Sequence, residues 1–234
     1  MPRASAAAEA QHVRRLIPHL HHCAASFPFR QRNGTLTMIA VSHSEQEVPM
    51  MPHLHVYEHQ EFPSHLKWQA ISFIRVQWPS VFTGPLRWLT EPYPPAMHPI
   101  HFVLREGDVL ISYAAALRLA LSHQDTTYQV YGFGNVFTFP PYRHEGYSQQ
   151  VLHAAAQYLD ASAVDLAMLF CQPILEPFYA QSGWEACHTA ETRIGTADSY
   201  TLDHDLRMMR FISPHAKQAR SAFLTHPLYI QWSW

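Results

Sequence analysis

Arg143, His144, Glu145 and Gly146 stand between an apolar run that stops at Pro140-Pro141 and a stretch with helical periodicity. That stretch puts Tyr147, Val151, Leu152, Ala155 and Leu159 on one face, at i, i+4 and i+5 spacing. The spacing predicts a strand, a tight turn and a helix. A helix start carries unpaired N–H groups and about half a positive charge. Both favour a phosphate. Gly146 has no side chain to hold an anion away from the backbone. Alone, these residues also fit an ordinary strand–turn–helix junction.

A second group lies downstream. Val164 to Cys171 (VDLAMLFC) is an apolar run of strand length, followed by Gln172 and then by Phe178-Tyr179 and Gly183-Trp184. Tyr179 comes 36 residues after Arg143. Its phenol is either a proton donor or a core group that covers a short helix. Gly183 fits the left-handed position that ends such a helix.

Together the two stretches resemble the GNAT N-acetyltransferase superfamily. The family's strand-and-turn pattern, V-x-V-x-P, x-Y/F-R and x-x-G-x-G/A, stands here as Val136-Phe137-Thr138-Phe139-Pro140, Pro141-Tyr142-Arg143 and His144-Glu145-Gly146-Tyr147-Ser148. Thr138 replaces a valine, and Ser148 replaces a glycine or alanine. The family's closing pattern, F/L-Y-x-x-x-G-F/W, is matched by Phe178-Tyr179 and Gly183-Trp184, with Gln172 where Asn is usual. The resemblance covers roughly residues 53 to 212 and is sharp from 130 to 184.

The resemblance implies an α+β fold: a mixed, mostly antiparallel sheet flanked by helices, with a splayed central pair of strands. It implies acetyl-CoA as cosubstrate and transfer of acetyl to a primary amine of a small molecule by direct attack. The coenzyme site would comprise Val136, Phe137, Thr138, Arg143, His144, Glu145, Gly146, Tyr147, Ser148 and Gln172. Backbone donors around Phe137 and Thr138 would polarise the thioester, and Tyr179 would protonate the leaving thiolate. For the base, Glu91, His101, His123, Asp125 and a water relay all stay open. The ending is loosely similar to the aminoglycoside acetyltransferase branch, although a polycationic substrate wants more clustered acids than this chain has. The other reading is a GNAT-fold module that holds CoA or another ligand without turnover.

Composition sets bounds. The 234 residues are 47% hydrophobic and 15% charged, with a net charge of −2. That is a globular composition with no basic excess to attract nucleic acid. No apolar run nears the ~18 residues of a membrane span. Cys23, Cys171 and Cys187 fit neither a disulfide framework nor a zinc spacing, and the default expectation is a reducing, cytoplasmic compartment. The 18 histidines make charge and solubility sensitive to pH.

The elements that must position these groups are read as follows. Residues 1–51 are an N-terminal extension, with His19, His21 and His22 on a solvated surface. Residues 52–212 form the acetyltransferase domain, and 213–234 a helix and aromatic tail packed on it or on a partner, which leaves a homodimer open. His53 to His59 reads as a strand with His53, His55 and His59 on one face, too far apart at ~3.3 Å per residue to share an ion. No metal is expected. Pro63 to Val81 reads as a helix. Gly84 to Pro95 is a Pro-stiffened aromatic loop that either lines an acceptor pocket or packs beneath the sheet, and it suits a partly apolar acceptor. Pro99–Arg105 and the run from Val109 form a hairpin with a Gly-bearing turn; AAALRLAL alone could also be helix, and the resemblance implies a strand there. Tyr128 to Phe139 is the central strand, with Gly132 and Gly134 expected to mark a bulge. A polar stretch precedes a last strand at 205–212, and Ser213-Pro214 opens a helix.

Overall fold

The computed structural model describes residues 51–234; the expectations for residues 1–50 lie outside them. Seven strands form the main sheet. β1 (His53–Glu58), β2 (Ile100–Glu106), β3 (Val109–His123) and β4 (Thr126–Thr138) run antiparallel in sequence order. β5 (Leu166–Cys171) lies parallel to β4, and β6 (Glu185–Cys187) reaches the sheet through the late strand at Leu206–Phe211. The apolar content and strand-length runs of β2 to β5 explain their burial on both faces.

Two helices cover the sheet from opposite sides. α1 (Ser64–Gln77) buries Leu66, Ala70, Ile71 and Ile74, and packs with Val103, Leu110, Tyr113, Ala115, Leu117 and Phe137. It stops four residues short of the expected Val81. Pro79 excludes the helical conformation from Trp78, which sits at φ −127° and ψ 63°. α2 (Tyr147–Asp160) buries Val151, Leu152, Ala155, Ala156 and Leu159 on the other face, against residues such as Phe102, Ala114, Phe133 and Leu169. This is the predicted face, with Ala156 added. A short helix α3 (Glu176–Ala180) carries Tyr179.

The stretch expected to be merely polar folds as two strands, β7 (Thr192–Thr196) and β8 (Ser199–Asp203). β8 is mostly exposed and β7 (TRIGT) carries Ile194 as its single large apolar residue, so neither shows the apolar alternation that marks a half-buried strand. β9 is the strand at Leu206–Phe211, the expected last one. However, α4 (Pro214–Gln218) and α5 (Arg220–Thr225) are followed by a further strand, β10 (Leu228–Ile230), parallel to β7. Ser213 caps α4 by accepting from the Ala216 N–H at 3.0 Å. Ala216, Phe223, Leu228 and Ile230 bury a third apolar cluster with Val130, Leu166, Met168 and Met209.

The central pair is splayed. β4 and β5 are paired only at Val130–Leu166, Tyr131–Ala167 and Gly132–Met168, yet β4 continues to Thr138 and β5 to Cys171. A bulge in β4 accompanies the parting. Tyr113 faces Phe137 and Ala115 faces Gly134, so β4 spends an extra residue, and Asn135 takes φ 53°.

Candidate active site

The site begins where β4 runs out. Phe139 N–H donates to the Ile111 carbonyl at 3.0 Å, and Ser112 Oγ donates to the Phe137 carbonyl at 2.9 Å. Peptide groups at 137 and 139 therefore face β3. Strand alternation turns those of Val136 and Thr138 to the opposite side, into the cleft. Of the two residues expected to donate there, Thr138 faces the cleft and Phe137 does not; the Phe137 ring is buried against Phe73 and Tyr113. The Thr138 carbonyl accepts from Arg143 Nε at 3.0 Å. Arg143 thus folds back to brace the turn.

The turn itself is open. His144 and Gly146 both lie in the left-handed region, at φ 73° and 76°. Gly146 is the N-cap of α2, and a Cβ built there meets nothing within 4 Å. No side chain caps this helix start and no acidic residue occupies its first turn. Arg143, His144, Glu145 and Gly146 are exposed, and Tyr147 and Ser148 are half-buried. The arrangement can receive an anion on main-chain N–H groups at a positive helix end. Gln149 ties α2 to α3, with Nε2 donating to the Phe178 carbonyl at 3.1 Å and Oε1 accepting from Ser182 Oγ at 3.2 Å. Gln172 is exposed directly beyond β5.

Tyr179 is buried beneath this junction, at 6% exposure. Burial, with a smaller effect from Cys171, holds its phenol above the ordinary range, so the group stays protonated. Burial likewise pushes the Cys171 thiol up to about 11, which keeps it neutral. Gly183 takes the expected left-handed conformation at φ 80°, but α3 ends at Ala180 with Gln181 as its C-cap, so the glycine closes the turn that follows; a Cβ there would meet Arg210 Nη1 at 2.5 Å.

Two aromatic groups complete the cleft that the motifs did not mark. Tyr93, from the Pro-stiffened loop, points its hydroxyl at Gly134, where a Cβ would come within 2.6 Å of it. That hydroxyl is buried without a partner, and burial, then Tyr179, holds it protonated. Trp234 lies flat on Gly132, and its Nε1–H donates to the Met168 carbonyl at 3.1 Å. The glycines of β4 were the available signal, since small residues in a strand admit close approach. Nothing local named the groups approaching.

The open candidates for a base separate. His123 and Asp125 sit at the β3–β4 turn, eight register steps from Gly134, about 26 Å at ~3.3 Å per residue. Glu91 pairs with Lys67 at 2.6 Å and leaves Oε2 buried without a partner. His101 is fully buried, with Nδ1 2.7 Å from the Tyr113 hydroxyl. The three histidines of the first strand do not share it: β1 stops at Glu58 and His59 opens a helical turn. Among the described residues, no helix is long and apolar enough to cross a membrane.

Comparisons with known proteins bear on this geometry. Residues 87–187 match the model of the acetyltransferase (GNAT) domain family, a span that includes Tyr93, β4, the Gly146 turn and Tyr179. Among curated proteins, none matches the chain in sequence. Among solved structures, Escherichia coli ElaA is similar at a TM-score of 0.49 and 17% identity, covering 68% of this chain and 99% of that one. The GNAT family N-acetyltransferase YhbS from Escherichia coli, in complex with CoA, has a TM-score of 0.47 and 13% identity, over 77% and 89% of the two chains. An aminoglycoside 6'-N-acetyltransferase complexed with coenzyme A has a TM-score of 0.48 and 12% identity, over 68% and 98%. Over residues 87–187 the chain is therefore similar to the GNAT acetyltransferase domain family.

Proposed function

We propose that the protein transfers an acetyl group from acetyl-CoA to a primary amine of a small molecule. The observation that carries this reading is the continuity of two features. The β4–β5 ladder ends at Gly132–Met168, and the strands open toward an uncapped helix start at Gly146. CoA would place its pyrophosphate on the α2 N-terminus, held by the turn Arg143–Ser148. Its arm would lie between the strands, meeting the peptide groups of Val136 and Thr138, with Gln172 at the mouth.

In the reaction, the amine nitrogen attacks the thioester carbonyl carbon. The C–S bond breaks and the thiolate takes the Tyr179 proton. The proton lost from nitrogen finally restores the phenol. A phenol held above its ordinary range suits a group that must remain protonated until sulfur leaves. The groove lined by Trp68, Phe73, Val76, Phe139 and Pro140, between α1 and the end of β4, favours a partly apolar acceptor.

A second reading, a module that holds CoA without turnover, is favoured by one observation: Trp234 covers the face of β4 opposite α2. Two measurements separate the readings. Calorimetry with CoA reports binding, and thiol release from acetyl-CoA over a panel of small amines reports transfer. Binding with amine-dependent release supports the enzyme. Binding without release on any amine supports the module, and absence of binding overturns both.

A further inference from the structure

The segment after β10 ends in the parting of β4 and β5. A Cβ at Gly132 would lie 2.5 to 2.8 Å from the Trp234 ring, and one at Gly134 would lie 3.1 Å from Trp234 main-chain atoms. The indole Nε1–H donates to the carbonyl of Met168, the last β5 residue paired with β4. The Phe170 ring meets the indole edge-on at 5.1 Å, and Trp232 meets it at 5.9 Å. Trp234 therefore spans the apex of the V, from β4 to β5, on the face away from α2. The contact explains why β4 carries glycine at 132 and 134, since any side chain there would meet the indole or the Tyr93 hydroxyl.

The apex is where an acyl group would arrive. From Thr138 back to Gly134 is four residues, about 13 Å at ~3.3 Å each, the order of length of an arm holding two amides. A pyrophosphate at Gly146 thus brings the thioester to Gly134, two residues short of the last β4–β5 pair, and an acyl group extending past it would meet the indole over Gly132. We propose that Trp234 is the specificity-determining floor of the acyl site, which admits an acetyl group and rejects longer acyl chains. The proposal rests on the CoA-binding reading above.

The test compares binding of CoA, acetyl-CoA and hexanoyl-CoA by calorimetry, which needs no acceptor. The native protein is expected to bind acetyl-CoA at least about tenfold more tightly than hexanoyl-CoA, the scale on which a tight apolar pocket discriminates by size. Trp234→Ala should bring the two within about threefold of each other by admitting the longer chain, leaving CoA itself unchanged. Gly132→Ala, which displaces the ring without removing it, should move the preference the same way, and Trp234→Phe should fall between. Equal binding of the two thioesters by the native protein, or an unchanged preference in both Trp234→Ala and Gly132→Ala, overturns the proposal alone. Failure of all three ligands to bind the native protein overturns the CoA reading and the proposal with it.

Discussion

At the scale of single residues, the environment assigns Tyr179 and Cys171 opposite consequences from one cause. Burial keeps both protonated. On the proposed mechanism, this is the useful state for a phenol that donates and the safe one for a thiol near a thioester. Tyr179→Phe removes only the hydroxyl. Its expected effect is a fall in kcat of about 10²-fold, the usual scale for one general acid, with CoA affinity unchanged by calorimetry. Because the phenol lies above its ordinary range, ionisation of Tyr179 should not lower kcat until the pH exceeds the ordinary phenol value of about 10. A rate–pH profile of the native protein that declines through pH 8 to 9 for this reason, and no longer does so in Tyr179→Phe, would contradict the proposed role.

At the scale of elements, the α2 start and the sheet under α1 respond to different probes. Gly146 occupies a left-handed position with free space around it, so Gly146→Ala carries a conformational penalty alone in the unliganded protein, about 1–2 kcal/mol. Thermal unfolding should report that amount. Calorimetry should show a further loss in CoA affinity of about tenfold, about 1.4 kcal/mol, as the methyl meets the anion. His101, between β1 and β3, is pushed down to about 3 from 6.5, by burial first and then by His59 and Lys67. Its unfolded form therefore takes a proton as pH falls through about 6.5, while its folded form does not until about 3. The resulting stability is complete above that window and is lost progressively on acidification through it. Urea midpoints measured between pH 7.5 and 4.5 should fall, and His101→Asn should flatten the slope.

At the scale of the whole molecule, the chain closes on itself at the cleft. β10 joins the second sheet beside β7, and the next residues carry Trp234 to the apex of the main sheet. Arg207 of β9 binds the two regions, donating to the Phe223 carbonyl at 2.8 Å, to Thr192 Oγ1 at 3.2 Å and to Cys187 Sγ at 3.1 Å. Leu228 anchors β10 in the third cluster at full burial. Leu228→Ala should cost about 2–5 kcal/mol by chemical denaturation, and it should also loosen the strap. Acyl-length preference is then expected to weaken together with stability, in contrast to Trp234→Ala, where preference changes with little loss of fold.

The strands β1, β2, β4 and β5 and the helix that starts after Gly146 are legible in the sequence, and β3 is legible as a strand only through the GNAT resemblance. Each of the others is written in a local pattern: apolar runs of strand length, a helical face beginning at Tyr147, glycine and proline at the turns. The same locality hid β7 and β8, whose mainly polar residues leave no apolar periodicity to read. Only the tertiary structure decided that Tyr93 and Trp234 meet Gly134 and Gly132, or that His123 and Asp125 stand at the far end of the sheet. Contacts between segments about 40 and 100 residues apart are set by how the layers pack, and glycine in a strand records that something comes close without saying what.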